Sequence, residues 1–279
     1  MLQNFYFKFS FVVILFVFFC AKKDNESLFY LKYNKAKTSF GDLAYVTNDC
    51  HSKNKSLVFV HGSPGNHRDF FDYLSDSKLN ETYCIILVDR LGYGDSEKTS
   101  SVADIFQQSN AISETLEWIY KTENLNLNSK TYIGHSYGGP IALLLFERDR
   151  SSSKSCILLA SPLLPQFEEV QFYNKILQNR FFQFFVSKEI QHSNDEMITL
   201  KSDLEKLNFK LKSASEQMTG KIILVHGDGD WLVPISHTTE WNPKSENLFL
   251  RKIILEGENH FIPWTQKEKI KEIIKESYE

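Results

Sequence analysis

The strongest constraint on this chain is the sequence Gly134-His135-Ser136-Tyr137-Gly138, which follows the apolar strand Thr131 to Ile133 and precedes the apolar segment Ile141 to Phe146. A G-x-S-x-G pattern between a strand and a helix predicts a sharp turn that presents the serine hydroxyl above a sheet. Glycine is needed two residues before and after the serine, because side chains there would collide. The dipole of the following helix favours negative charge that develops beside the serine. Ser136 is therefore the candidate nucleophile.

A serine hydroxyl is a poor nucleophile and needs a base that is itself held by an acid. In strand-turn-helix enzymes the acid and then the histidine follow the serine along the chain. Asp230 follows the apolar strand Lys221 to Val225, and His260 follows the next one, Leu250 to Leu255. Asp228 is an alternative acid, but the register of the Val-Pro pair after Asp230 favours Asp230.

Short, continuous apolar strands alternate with helical segments along most of the chain. This alternation predicts a parallel sheet that is covered on both faces. A length of 279 residues suits one large α/β domain with an insert. The chain is 42% hydrophobic and 24% charged, which excludes wholesale disorder, and its net charge of -3 provides no basic field. We therefore expect no nucleic-acid partner.

One stretch of about sixty residues, between the strand at Cys156 and the strand at Lys221, has no strand pattern, and a stretch this long is usually functional. Pro162 opens it. Gln166 to Ile190 predicts one helix dense in aromatic residues, and Ser193 to Lys212 predicts a more polar helix. We interpret the stretch as a helical cap over the sheet. Its phenylalanines either pack the cap onto the main domain or favour an apolar acyl group.

The four cysteines are Cys20, Cys50, Cys84 and Cys156, and none belongs to a CxxC pair. No two histidines have metal-ligand spacing either, so neither a metal site nor a cofactor site is predicted. Cys84 and Cys156 lie in apolar strands and are expected to be free, buried thiols. The sequence predicts no disulfide framework.

Residues 2–21 are apolar apart from Lys8 and a few polar side chains, and the basic pair Lys22 and Lys23 follows them. This pattern is typical of an export signal. The apolar run ends at Cys20, as in a bacterial lipoprotein whose cysteine is lipidated. An uncleaved membrane anchor and another cleaved signal are the alternatives. We expect an exported, membrane-associated protein whose fold begins near Ser27.

Five motifs stand in a characteristic order: HGSPG at 61–65, DRLGYGDS at 89–96, GHSYGG at 134–139, GDGDWLVP at 227–234 and GENHFIPW at 257–264. With these motifs the chain resembles the α/β-hydrolase superfamily from about Leu28 to its C-terminus, except in the insert. The resemblance implies a mostly parallel eight-stranded sheet with helices on both faces and an inserted helical cap. The expected division is a signal or anchor at 1–26, the core at 27–161 and 217–279, and the cap at 162–216.

The resemblance implies that Ser136 is the nucleophile, Asp230 the acid and His260 the base. It also implies an oxyanion hole made by the backbone N–H groups of Ser63 and Tyr137. Haloalkane dehalogenases and epoxide hydrolases with this motif order use aspartate as the nucleophile, so the serine favours acyl transfer from a small-molecule ester or amide.

Three alternatives to an esterase remain open at this point. HGSPG resembles the HGGPG loop of prolyl aminopeptidases, with Ser63 in place of a glycine, and Glu168 and Glu169 are candidates for binding a substrate amine. Carbon–carbon bond hydrolases share the same triad. A ligand-binding module without catalysis is the alternative from a different functional class, because fold alone does not decide function.

Overall fold

The computed structural model describes residues 31–96, 102–149, 153–214 and 217–278. Within these residues, eight strands form one sheet in the spatial order β1-β2-β4-β3-β5-β6-β7-β8. The strands are β1 Lys32–Thr38, β2 Gly41–Thr47, β3 Lys55–Val60, β4 Cys84–Val88, β5 Ser129–His135, β6 Ser153–Leu159, β7 Gly220–Gly227 and β8 Leu248–Leu255. Strand β2 runs antiparallel to both of its neighbours, and the other adjacent pairs are parallel. The predicted mostly parallel eight-stranded sheet is confirmed.

Helices connect these strands and follow the last one. They are α1 Phe71–Leu74, α2 Ser77–Thr82, α3 Ile105–Thr122, α4 Gly138–Arg148, α5 Phe172–Leu177, α6 Arg180–Gln183, α7 Lys188–Ala214, α8 Ser236–Thr239, α9 Ile262–Thr265 and α10 Lys267–Glu276. Two single turns of 3-10 helix, His67–Phe70 and Pro165–Phe167, complete the described helical elements.

The sheet buries an apolar cluster on each face. Residues of α3, α4 and α7 form one cluster with alternate positions of the strands, such as Val58 and Ile86. Residues of α1 and α10 form the other cluster with the intervening strand positions, such as Leu57 and Phe59. Because both faces are covered, the central strands carry short apolar runs, which are continuous in β4, and this is why the sequence pattern predicts them well.

The insert between β6 and β7 differs from its predicted form. The single helix predicted over Gln166 to Ile190 is wrong: this stretch contains a 3-10 turn and then α5, α6 and the start of α7. Asn179 separates α5 from α6, because its side chain accepts a hydrogen bond from the backbone N–H of Phe181 and so begins a new helix. The division of the chain at residues 162 and 216 stays a prediction.

The prediction that Cys84 is a free thiol is also wrong, because Cys84 is bonded to Cys50. The sheet explains the pairing. Thr47 lies opposite Ile86 in the antiparallel pair β2–β4, so the loop after β2 passes the start of β4. The sequence alone does not reveal this register. Cys156 is a buried free cysteine, as predicted.

The predicted export or anchor segment, including Cys20, lies outside the described residues. The first strand, predicted over Leu28 to Tyr33, is described only from β1 at Lys32, and it forms the predicted hairpin with β2. Among the described residues, no helix has both the length and the apolar character needed to cross a bilayer.

Candidate active site

Ser136 occupies the turn between β5 and α4. Its backbone φ is +51°, in the left-handed region that non-glycine residues seldom adopt. The turn is fixed by hydrogen bonds from Ser136 N to Leu159 O at 3.0 Å and from Gly139 N to Ser136 O at 2.8 Å. Ser136 is partly exposed, whereas His135 and Tyr137 on either side are buried. The turn therefore presents this one side chain at the carboxyl ends of the strands.

The two glycines of the pentapeptide allow this turn to pack closely. A Cβ at Gly134 would lie 2.4 Å from the carbonyl oxygen of Gly138, and a Cβ at Gly138 would lie 2.3 Å from that of Val60. Real Cβ atoms do not approach backbone oxygens so closely. The requirement for glycine at these positions follows from steric contact with the backbone.

His260 and Asp230 form a hydrogen-bonded pair at the same edge of the sheet. His260 Nδ1 donates to Asp230 Oδ2 at 2.8 Å, and both side chains are buried. The His260 ring lies 4.8 Å from the His135 ring, centroid to centroid, and His135 directly precedes Ser136. Among the described residues, Ser136 Oγ makes no hydrogen bond to His260; such contacts are often loose until substrate binds. The pairing of Nδ1 with Asp230 leaves Nε2 for that contact.

The carboxylate of Asp230 is held by more groups than the sequence indicates. Its Oδ1 accepts hydrogen bonds from the backbone N–H groups of Leu232 and Val233, both at 2.9 Å, and His226 Nε2 lies 3.1 Å from Oδ2. Burial would raise the pKa of Asp230, but the hydrogen bonds from His226 and His260 outweigh burial and hold it well below its usual range. Asp230 is therefore ionised beside His260.

Asp228, the alternative acid, does not contact His260. Its Oδ1 accepts a hydrogen bond from the backbone N–H of Gly257 at 2.7 Å, and the residue is exposed. Asp228 thus holds the turn after β8. His226 is the residue that sequence reasoning missed here, and its position four residues before Asp230 is the only local signal for it.

The loop at Ser63 lies beside the serine turn. A Cβ at Gly62 would be 3.1 Å from Ser136 Cβ, which places this backbone against Ser136. Among the described residues, neither the Ser63 nor the Tyr137 backbone N–H donates a hydrogen bond to another protein group. Both N–H groups are available to an incoming oxygen, and their role as an oxyanion hole stays a prediction.

Two further histidines support these loops and remain neutral. His61 Nε2 accepts from the backbone N–H of Arg90 at 3.0 Å, and its Nδ1 donates to Gly62 O at 2.8 Å. His135 Nε2 donates to the carbonyl oxygen of His260 at 3.1 Å. Burial lowers the pKa of His61 and the pKa of His135, each to about 3.

The main residue that sequence reasoning missed is Glu196, on helix α7. Its buried carboxylate accepts hydrogen bonds from Arg90 Nη1 at 2.5 Å, from the Tyr93 hydroxyl at 2.8 Å and from the Ser63 hydroxyl. Burial would lower the pKa of the Arg90 guanidinium, but the charge of Glu196 outweighs this and raises it. Arg90 and Glu196 therefore form a buried ion pair in which each charge neutralises the other, and Glu196 links the insert to the Ser63 loop.

The predicted amine-binding candidates lie elsewhere in the insert. Glu168 Oε1 lies 3.1 Å from the buried side chain of His237, and His237 Nδ1 accepts from the backbone N–H groups of Leu163 and Leu164. Glu169 is partly exposed. The carboxylate that lies closest to the Ser63 loop is thus Glu196 and not either of these two.

In the described part of the chain, three side chains lie close enough together to bind a metal ion. The ligand atoms of His67, Asp89 and Asp95 lie within 4.8 Å of one another. However, Asp89 already accepts hydrogen bonds from His67 Nδ1 at 2.9 Å and from the backbone N–H of Asp95 at 2.8 Å. We interpret the group as a hydrogen-bonded support of the 89–96 loop.

Part of this chain is similar in sequence to curated proteins. Two curated relatives are a probable lysophospholipase, BODYGUARD 4, from Arabidopsis thaliana (24% identical over 154 residues, 52% of this chain) and a proline iminopeptidase from Clostridium botulinum (29% over 114 residues, 41% of this chain). These matches cover only 36% of each relative's own length.

Among solved structures, a serine hydrolase from Cycloclasticus zankles is similar in fold. Its TM-score is 0.64 at 15% identity, over 88% of this chain and 96% of that one. The sequence profile of the alpha/beta hydrolase fold matches residues 55–195, just over half of the chain and including Ser136. From this match and from the sheet order, the chain belongs to the alpha/beta hydrolase fold family.

Proposed function

We propose that this hydrolase cleaves a carboxylic ester through an acyl-enzyme, with Ser136 as nucleophile, His260 as base and Asp230 as acid. The observation that carries the proposal is the Asp230–His260 hydrogen bond of 2.8 Å beside a serine with a φ of +51°. A serine at this turn fits acyl transfer.

The chemistry follows from the positions of these groups. Ser136 Oγ attacks the ester carbonyl carbon while His260 Nε2 takes the hydroxyl proton, and ionised Asp230 stabilises the resulting imidazolium. The backbone N–H groups of Ser63 and Tyr137 receive the developing oxyanion. His260 then protonates the departing alcohol. A water molecule, deprotonated by His260, attacks the acyl carbon, and the acid is released as Ser136 regains its proton.

The ion pair at Glu196 supports an ester over an aminopeptidase substrate. A site that binds a substrate amine needs a carboxylate whose charge is not already compensated. Glu196 is compensated by Arg90 and so does not meet this requirement. Because proline iminopeptidases are among the relatives, hydrolysis of an amide is the alternative to hydrolysis of an ester. A panel of ester and amide substrates distinguishes the two.

The test begins with a fluorophosphonate probe, which labels an activated serine. Labelling is expected in the wild type and in Ser213→Ala, an exposed control, and is expected to be absent in Ser136→Ala. Turnover of nitrophenyl esters should fall by a factor on the order of 10⁶ in Ser136→Ala. Asp230→Asn should lose most activity, whereas Asp228→Asn should keep it.

The proposed mechanism, the aminopeptidase and the ligand-binding module predict different outcomes in these assays. Near-normal ester hydrolysis by folded Ser136→Ala would refute the mechanism. Faster cleavage of proline naphthylamide than of any ester in a chain-length series would indicate an aminopeptidase. A folded wild type that takes no label would indicate a ligand-binding module.

For location, we propose that the chain is exported and held at a membrane by the segment within residues 1–26. The Cys50–Cys84 disulfide supports export, because disulfides persist mainly in oxidising compartments. If Cys20 is lipidated, the mature protein lacks residues 1–19 and gains acyl chains, and Cys20→Ala blocks this processing. Retention of residues 1–19 would indicate an uncleaved membrane anchor. A cleaved chain without acyl groups would indicate an export signal of another kind. Recovery of the full chain in soluble form would refute membrane attachment.

A further inference from the structure

The insert exposes aromatic residues on α5, on α6 and in the following turn, where Phe181, Phe182, Phe184 and Phe185 are in ring contact with one another. We define this aromatic surface by six residues: Phe172, Tyr173, Phe181, Phe182, Phe184 and Phe185. Phe184 is 85% exposed, Phe185 69% and Phe181 67%. Ring centroids lie 5.5 Å apart for Phe181–Phe185 and for Phe184–Phe185. Single exposed apolar residues are common, but a contiguous group of them marks an interaction site.

The outward direction of the α5 rings follows from polar contacts on the opposite side of that helix. Asn174 is the buried residue of α5, and its Nδ2 donates to Asn194 Oδ1 of α7 at 2.9 Å. Asn194 Nδ2 in turn donates to the backbone oxygen of Asn174 at 3.1 Å. Helices as short as α5 are not stable alone and take their orientation from such contacts. The amide pair thus faces α7, and the aromatic residues of α5 face away.

Within residues 170–188, which carry the aromatic surface, the charged residues are all basic, and Glu169 and Glu189 flank this segment. Lys175, Arg180 and Lys188 are exposed, and no acidic residue occurs between Val170 and Lys188. The chain as a whole has a net charge of -3, so this positive region is a local exception. Aromatic residues with a basic rim are typical of segments that lie in the interface of an anionic membrane.

A second copy of this chain is a poorer occupant of the same surface. In a symmetric dimer the same patch faces itself, which would bring Lys175, Arg180 and Lys188 of one copy against those of the other. Like charges opposed across an interface disfavour association. Anionic lipid headgroups complement both the charge of the rim and the apolar character of the rings.

We propose that the aromatic surface inserts into the headgroup region of a membrane that contains anionic lipid. Phe184 and Phe185, the most exposed rings, enter the boundary between headgroups and acyl chains, while the three basic side chains contact lipid phosphates. This contact is separate from the predicted attachment within residues 1–26 and needs no catalysis at Ser136.

The test uses the full chain, reconstituted into vesicles, with photoreactive benzoylphenylalanine in place of Phe184. The matched control carries the same group in place of Phe249, which is 56% exposed on the edge strand β8. With vesicles of phosphatidylglycerol and phosphatidylcholine, we expect the lipid adduct at 184 to exceed that at 249 by at least about fivefold. Charge reversal of Lys175, Arg180 and Lys188 to Glu should lower the adduct at 184 on the order of tenfold.

Three results would overturn the proposal: equal lipid adducts at 184 and 249, cross-linking of 184 only to a second copy of the chain, or equal adduct yields in anionic and purely zwitterionic vesicles. Fluorophosphonate labelling of the same preparations reports Ser136 independently. Loss of that labelling with an intact lipid adduct would count against the proposed catalysis and not against the membrane contact.

Discussion

Removing the carboxylate of Glu196 should destabilise the fold strongly. The side chains of Arg90 and Glu196 are 0% and 1% exposed, and Arg90 Nη1 lies 2.5 Å from Glu196 Oε1. Loss of one partner of a buried ion pair leaves the other charge uncompensated, which costs about 3–5 kcal/mol. Tyr93 and Ser63 also lose an acceptor, but their hydroxyls still pair with each other at 3.0 Å. We expect Glu196→Ala to lower the free energy of unfolding by about 3–5 kcal/mol.

Urea unfolding, followed by circular dichroism and tryptophan fluorescence, measures this loss. Glu205→Ala is the matched control, because Glu205 is exposed on the same helix and should cost no more than about 0.5 kcal/mol. Arg90→Met combined with Glu196→Leu removes both charges, so its cost should be smaller than the sum of the two single substitutions. A loss below about 1 kcal/mol in Glu196→Ala, or an additive double variant, would refute this reasoning.

Three further predictions concern titration and the disulfide. Because the pKa values of His61 and His135 are lowered to about 3, neither ring should be protonated between about pH 5 and 8; an NMR titration that shows either ring gaining a proton in this range would contradict the assignment. Burial raises the pKa of Asp69 to about 7, so the folded state binds a proton that the unfolded state releases above about pH 4. Stability should therefore fall as the pH rises from about 4 to 7, and Asp69→Asn should stabilise more at pH 8 than at pH 5, by up to about 2.7 kcal/mol; an equal effect at both pH values in urea unfolding would count against this. Reductant should lower the urea midpoint of the wild type by the equivalent of about 2–4 kcal/mol, because it breaks the Cys50–Cys84 bond. It should not change the midpoint of the double variant Cys50→Ala, Cys84→Ala, and an identical response of the two proteins would contradict the pairing.

Local patterns predicted the central sheet and the arrangement around Ser136. The strands β3 to β7 are buried on both faces over most of their length, so each contains a short apolar run that is visible in the sequence. Gly134 is required because a side chain there would meet the backbone of Gly138, and Gly138 because a side chain there would meet the adjacent strand at Val60. The pentapeptide sequence is therefore enough to predict the shape of the turn.

Features that depend on distant contacts were missed. Cys50 and Cys84 meet through the register of β2 and β4, which no local pattern encodes. Glu196 contacts Arg90 from more than one hundred positions away, yet one signal was present: it precedes Leu200 by four residues, in line with the buried leucines of α7. A glutamate in an apolar stripe predicts a buried partner, and that spacing would have identified it.

Helix α7 belongs to two parts of the molecule, which limits how the insert can be exchanged. Its first turns carry Glu196, whereas Leu200, Leu204, Leu207 and Leu211 are buried in the same apolar cluster as α4. A chimera cut at residues 162 and 216 would remove these leucines and open the main core. A graft that replaces only the segment before Leu200 would keep the core intact. Exchange of the insert without loss of the core is therefore restricted to the stretch between β6 and the middle of α7.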